Sequence, residues 1–313
     1  MSNKTLERTE TMLRIACYYE GMAVGRNDGN PLYIWNNLKR RQDAKEIAEV
    51  NHVRPIEGTE ILGKFDAHVW ADWGEDGLTQ ILPYTPVFPT QNGKDPVVYW
   101  PTDTHVNGAS YAYRLGLAKK SDIVYTAQKV TVEQFAKDGV VAKWLPCAVE
   151  PLAYPKYELA CKHYDICFIG HINSQHRIDH LDRAFKEFPN FFYGQRSFEE
   201  AAEKFADSKI CLNVALNDDV NMRCFEVTGS GGFLLTNRIP SLEELFIDGK
   251  EIVMYDSMDD MVEKAKYYLA HDDEREAIAK AGYERSMKDH KFSQRVDVIL
   301  NDIKKFKEGV KHA

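Results

Sequence analysis

Residues 209–237 read KICLNVALNDDVNMRCFEVTGSGGFLLTN. The apolar run at 209–215 has the length and character of a buried strand, and the polar residues after it form a loop. Residues 222–228 read as a short helix, and Gly229, Gly231 and Gly232 precede a second apolar run at 232–236. Strand, helix and strand at this spacing is the crossover unit of a parallel sheet. Asp218, Arg223 and Glu226 then fall beyond the carboxyl end of the first strand, where open parallel sheets bind their ligands. The three glycines allow close backbone approach, either to a ligand or to a neighbouring element. The competing reading is a charged surface loop in which Arg223 and Glu226 pair at i,i+3.

The same alternation extends in both directions. Strands are expected at 12–19, 65–73, 96–103, 122–127 and 142–150, with a helix opened by Asn30 and Pro31 and running to Leu38. The stretch EPLAYPKYE (150–158), with two prolines and no periodicity, reads as a linker. Beyond it, strands are expected at 164–170, 191–194 and 251–255. Ile178, Leu181, Phe185 and Phe188 stripe a helix, and Ser197 with Glu200 spells a capping box. Ser241 with Glu244 and Ser257 with Asp260 open further helices, and Val296, Ile299, Leu300, Ile303 and Phe306 stripe a terminal one. The expected fold class is α/β, two tandem Rossmann-like domains facing a cleft, divided as 1–152 and 153–313. The last helix, about 293–308, is expected to cross back to the first domain.

Composition narrows the function. Forty basic and 48 acidic residues leave a net charge of −8, and residues 1–150 hold 17 basic against 19 acidic, so neither half has the basic excess of a phosphate-backbone binder. No apolar stretch approaches the roughly 20 residues of a membrane span, and the start, MSNKTLERTE, lacks a signal-like apolar core. Six scattered cysteines without a CxxC pair read as reduced core thiols, and the expected location is cytoplasmic. Neither GMAVGRNDG (21–29) nor GSGGF (229–233) spells GxGxxG, and GxxxxGK[ST] is absent, which argues against a dinucleotide dehydrogenase and a P-loop kinase.

Asp218-x7-Glu226, followed by Gly229, Gly231 and FLL, resembles the acid-x7-Glu motif of retaining fold-B (GT-B) glycosyltransferases. NMRCFEVTGSGGFLLTN (221–237), LFIDGKEIVMYDSMDDM (245–261) and YERSMKDHKFSQRV (283–296) are similar to the C-terminal domain of the spore-maturation-protein (CgeB-like) glycosyltransferases, and WLPCAVEP (144–151) and YWPTDTH (99–105) to its N-terminal half. The resemblance implies a glycosyltransferase that takes a nucleotide-diphosphate sugar, most commonly a UDP-sugar, as donor. It implies Glu226 as the ribose-binding carboxylate and Asp218 as the acid facing the donor sugar, where the family usually has Glu. The diphosphate is expected to be held by backbone amides and basic side chains, with no obligatory cofactor and a divalent cation allowed but not expected. Gly170, His171, Arg177 and Arg223 are the candidates for this, with Gly231 behind them and Arg196 at the nucleobase pocket.

Asp103 and His105, in WPTDTHVNG (100–108), form a candidate acceptor-side pair or general base. Asp72, Glu75 and Asp76, and Gly25, Gly29 and Asn30, lie on further loops of that half. Each of these has a plainer reading: a solvated helix-end cation for Arg177 and Arg196, a loop histidine for His171, a turn or cap for Asp103. The acceptor stays open among polysaccharide, protein, small molecule and modified nucleic acid, as do the oligomeric state and the choice between retention and inversion. A nucleotide-sugar epimerase of the same fold and a non-catalytic nucleotide-sugar-binding protein are the alternatives.

Overall fold

The structure, a computed structural model, describes residues 12–18, 30–53, 65–72, 91–102, 108–159, 161–172, 174–216 and 219–311. Two parallel sheets follow one another along the chain. The first holds β1 (Arg14–Tyr18), β2 (Glu49–Val53), β3 (Ala67–Asp72), β4 (Val97–Pro101), β5 (Ile123–Thr126) and β6 (Ala142–Trp144), in the order β2-β1-β3-β4-β5-β6. Helices α1 (Asn30–Asp43), α2 (Gly108–Ala118) and α3 (Lys129–Lys137) connect them. The second sheet holds β7 (Tyr164–Ile169), β8 (Phe191–Gly194), β9 (Ser208–Asn213), β10 (Leu234–Asn237) and β11 (Val253–Tyr255), in the order β11-β10-β9-β7-β8. Its helices are α4 (Gln175–Glu187), α5 (Phe198–Ala206), α6 (Met222–Gly229), α7 (Met258–Ala270) and α8 (Asp272–Asp289); α9 (Phe292–Lys311) ends the chain. Among the described residues no helix is long and apolar enough to cross a membrane.

Strands covered on both faces read as continuous apolar runs. That is why β4, with all five residues buried, and β7, β9 and β10 stand near where the sequence puts them. Edge strand β2, EVNHV, has no such run and was not foreseen; it pairs on one side only, with β1. The strand expected over 142–150 stops at Trp144. Beyond it the chain leaves the sheet, and Leu145, Cys147, Ala148 and Val149 are buried in a core shared by both domains. Val149 there pairs in parallel with Lys291, donating its N–H to the His290 carbonyl at 2.9 Å and accepting from the Phe292 N–H at 3.0 Å.

Helix α4 turns a different stripe inward than expected: Arg177, His180, Leu181 and Ala184 are buried, while Ile178 and Phe185 are exposed. At α5 no capping box forms. Ser197 holds the N-cap position without a side-chain cap bond, and Phe198 beside it sits at φ +53, outside the helical region. Ser257 does cap α7, accepting from the Asp260 N–H at 3.1 Å. Ser241 lies inside a 3-10 turn, Pro240–Glu244, rather than at the start of an α-helix.

Helix α9 crosses back onto the first domain. Val296, Ile299 and Ile303 are buried, and Asp302 accepts from the Tyr125 hydroxyl at 2.7 Å and the Lys143 ammonium at 2.6 Å. His290, just before it, donates from Nε2 to the Leu245 carbonyl at 3.0 Å and accepts from Arg295 at 3.3 Å. Burial lowers its pKa to about 4, and the Arg295 charge pushes the same way. The unfolded chain therefore binds a proton that the folded one refuses, and stability is lost as pH falls from about 6.5 towards 4. His68 and His180 are shifted in the same direction by burial. The urea midpoint should drop across that window, and drop less in His290→Gln; equal slopes for the two proteins would assign the acid sensitivity elsewhere.

Candidate functional site

In the second sheet the chain runs outward from β7 to β8, then returns to β9 on the other side of β7. The carboxyl ends of β7 and β9 therefore flank the topological switch point, the crevice where such sheets take ligands. Arg223, in the first turn of α6, reaches back across it. Its Nε donates to the Ile169 carbonyl at 2.5 Å, at the end of β7, and its Nη1 to Asn213 Oδ1 at 2.7 Å, at the end of β9. The guanidinium lies 4.6 Å from the centroid of the Phe168 ring. Gly170 makes this seat: a Cβ there would stand 1.9 Å from Arg223 Nη2, and its φ is +149. Any side chain at 170 would push that guanidinium out of its seat.

Arg177 enters the same crevice from the first turn of α4. Its Nε donates to the Val214 carbonyl at 2.9 Å and its Nη1 to the His171 carbonyl at 3.1 Å, and the residue is only 9% exposed. It is no solvated helix-end cation. His171 contributes that carbonyl while remaining exposed itself. Ser174 caps α4, accepting from the Arg177 N–H at 3.3 Å, so a 13-residue helix points its positive end at the rim.

Burial lowers the pKa of Arg223 to about 10, the like charge of Arg177 adds to the fall, and Glu226 opposes it. Arg177 is lowered by burial and pulled back by Asp219. Two guanidiniums held in one crevice raise the local potential, and an anion relieves that charge.

Glu226 follows Arg223 by one turn of α6 and is half-buried; burial and the Glu226 charge push the Tyr154 phenol up. Arg196 stands at the end of β8 on the same rim, exposed, donating to the Gln195 carbonyl at 2.7 Å and lying 5.7 Å over Phe192. The glycines lie at the other end of α6. Gly229 is a packing residue, because a Cβ there would meet Val149 Cγ2 at 2.4 Å. Gly231, at φ +80, makes the turn into β10, donating to the Thr228 carbonyl at 3.0 Å beneath the Lys156 side chain. Arg223, Arg177, Gly170, His171 and Glu226 are thus brought together, and Gly231 is not. Asp218, Asp103, His105, Glu75, Asp76, Gly25 and Gly29 lie outside the described residues, as does the Asp72 side chain.

Several participants escaped the reading of the sequence. Asn213, fully buried, orients Arg223 and accepts from Asn221 at 3.2 Å while donating to Thr236 at 3.1 Å. Its signal was present: one amide in an otherwise apolar strand. Asp219 accepts from Gln128 Nε2 at 3.2 Å across from the first domain, and Tyr154, whose phenol is pushed up by burial and by the Glu226 charge, comes from the linker. Neither has a local signal, because both partnerships span tens of residues.

Residues 162–301 match a protein-family model described as glycosyl transferase-like. No curated protein matches the chain in sequence. Among solved structures, a sucrose-phosphate synthase from Thermosynechococcus elongatus superposes with a TM-score of 0.68 at 9% identity, covering 95% of this chain and 99% of that one. An alpha-glucosyltransferase in complex with UDP and a 13-mer DNA containing an HMU base gives 0.64 at 11% identity, covering 94% and 100%. Anabaena HepE in complex with UDP and glucose gives 0.61 at 10%, again covering 94% and 100%. At such identities these likenesses speak for the fold. The chain is built on the two-domain GT-B architecture of glycosyltransferases, and its second domain carries the sequence signature of a glycosyl transferase-like family.

Proposed function

We propose that this protein transfers a sugar from a UDP-sugar to a hydroxyl acceptor. The observation that carries the reading is the pair of guanidiniums at the β7–β9 switch point, Arg177 buried and Arg223 half-buried, with Glu226 one helical turn beyond. In this reading Arg177, Arg223 and the amino end of α4 receive the diphosphate, and Gly170 and His171 form the floor beside it. Glu226 accepts from the ribose hydroxyls, Arg196 borders the nucleobase, and Asp218 faces the donor sugar. Asp103 and His105 serve the acceptor side. Three similar structures, of two proteins, support UDP as the nucleotide by what they hold: the alpha-glucosyltransferase is in complex with UDP, and HepE is in complex with UDP and glucose and with UDP-glucose.

The chemistry follows from charge. Breaking the anomeric C–O bond leaves negative charge on the diphosphate, and preorganised cations and amides at that position lower the barrier. Two guanidiniums meet this demand without an obligatory metal. Retention at the anomeric carbon is the expected stereochemistry, with the leaving diphosphate and the acceptor hydroxyl on the same face. The acid-x7-Glu pattern is what favours it.

UDP should raise the melting temperature of the wild-type protein, by the equivalent of about 2.7 kcal/mol at a hundredfold excess over Kd. Glu226→Ala should respond much less at the same concentration. An unshifted wild type, or an equal response from the variant, would remove Glu226 from the donor site. Turnover of a UDP-sugar across a panel of hydroxyl acceptors then separates a transferase from a non-catalytic binder.

A further inference from the structure

Gln128 of the first domain and Asp219 of the second meet across the domain boundary. Gln128 stands at the N-cap of α3, behind the carboxyl end of β5, and Asp219 lies on the loop between β9 and α6. Both are buried, and Gln128 Nε2 donates to Asp219 Oδ1 at 3.2 Å. Gln128 makes no side-chain cap bond to its own helix and reaches the other domain instead. The next residue crosses the same boundary: Lys129 lies 5.3 Å from the centroid of the Trp144 ring and pairs with Glu244 of the second domain. The amino end of α3 is thus fastened to the second domain at two adjacent positions.

Asp219 passes this hold on to the donor site. Its carbonyl accepts from the Asn221 N–H at 2.9 Å. Asn221 is the N-cap of α6, and it too leaves its helix without a side-chain cap. Its Nδ2 donates instead to Asn213 Oδ1 at 3.2 Å, the same atom to which Arg223 Nη1 donates at 2.7 Å. Four hydrogen bonds therefore run in series from the first domain to the Arg223 guanidinium, through Asp219, Asn221 and Asn213. The start of α6, where Arg223 stands, is set by these contacts: β9 supplies one hold through Asn213, and the first domain supplies the other through Gln128. A buried carboxylate that loses a donor must find another or move towards water, and the turn at 219–221 moves with it.

We propose that Gln128 is a positioning residue of the donor site: by holding Asp219 it fixes the turn into α6 and the direction of the Arg223 guanidinium, so that the grip on the diphosphate requires the first domain to be seated against the second. This rests on the assignment of Arg223 to the diphosphate under the proposed function, and the test separates the two. Titration calorimetry of the full chain with UDP and with uridine should show that wild type prefers UDP. Gln128→Met, which keeps the length of the side chain and loses the donor, should weaken UDP about fivefold, the size of a coupling between neighbouring groups, and leave uridine unchanged. In an Arg223→Ala background Gln128→Met should add nothing. Equal losses for UDP and uridine in Gln128→Met, or a full further loss in the Arg223→Ala background, would mean a general structural role, and unchanged UDP binding would mean no role; each overturns the proposal. A wild type that binds uridine as tightly as UDP would instead overturn the diphosphate assignment and take the proposal with it. If Gln128→Met fails to fold, Gln128→Asn, with the same amide on a shorter stem, carries the same comparison.

Discussion

Replacing Arg223 by alanine should weaken UDP binding by about a hundredfold or more, the largest loss expected from any side chain described here. Charge-assisted hydrogen bonds contribute about 1.5–3 kcal/mol each, and a forked guanidinium makes two at once to a phosphate. Two such bonds amount to roughly two powers of ten in Kd. Arg223→Lys keeps the charge but loses the fork, the bond to the Ile169 carbonyl and the stack on Phe168, so a loss of about tenfold is expected. Arg223→Ala also leaves Asn213 Oδ1 with only its Asn221 donor, a loss of about 1 kcal/mol, so it should melt lower as well. Titration calorimetry with UDP below the variant's melting range separates the two effects. An Arg223→Ala protein that binds UDP within threefold of wild type would place the diphosphate elsewhere.

A chain ending at His290 should fail to fold its first domain. It would lack Phe292, Val296, Ile299 and Ile303, each at most 1% exposed and all part of the core shared by the two domains. At about 1.5–3 kcal/mol per buried apolar side chain the loss is roughly 6–12 kcal/mol, an upper estimate because the unfolded chain buries some of this surface. That matches the roughly 5–15 kcal/mol that holds a whole domain together. Tyr125 and Lys143 would lose their common partner Asp302, and Lys307 its contacts with the Asp66 carbonyl and Asp95. The cluster on the outer side of the second sheet, built on Ile166, Phe168, Leu212 and Leu235, contains no residue of α9 and should survive. Hydrogen exchange should then show β4 to β6 unprotected and β7, β9 and β10 protected. Native-like protection in both sheets would make α9 an appendage.

The two domains, most strands and the crossover unit at 209–237 were legible because a parallel sheet covered on both faces writes itself as apolar runs, and because helix and strand periods differ. Arg223, Glu226 and Arg177 were legible as candidates because charge beside a strand's carboxyl end is unusual locally. Edge strand β2 and the unformed cap at Ser197 were misread where local pattern is weak or overruled by packing. The true inner stripe of α4 was hidden by its own content: a buried arginine and histidine sit where apolar residues are expected.

The sequence alone thus determined the α/β class, the doubling of the sheet and the neighbourhood of the site, all of which depend on residues a few positions apart. Tertiary structure decided the purpose of each group within that neighbourhood. Gly170 is needed for the van der Waals volume of Arg223, 53 positions later, whereas Gly229 makes room for Val149, 80 positions earlier, so two glycines that look alike serve a charge in one case and a domain contact in the other. Asp219 takes a donor from Gln128, 91 positions earlier. Hydrogen bonds and steric fit act over a few ångströms of space whatever the separation along the chain, and only the folded chain brings those partners within range.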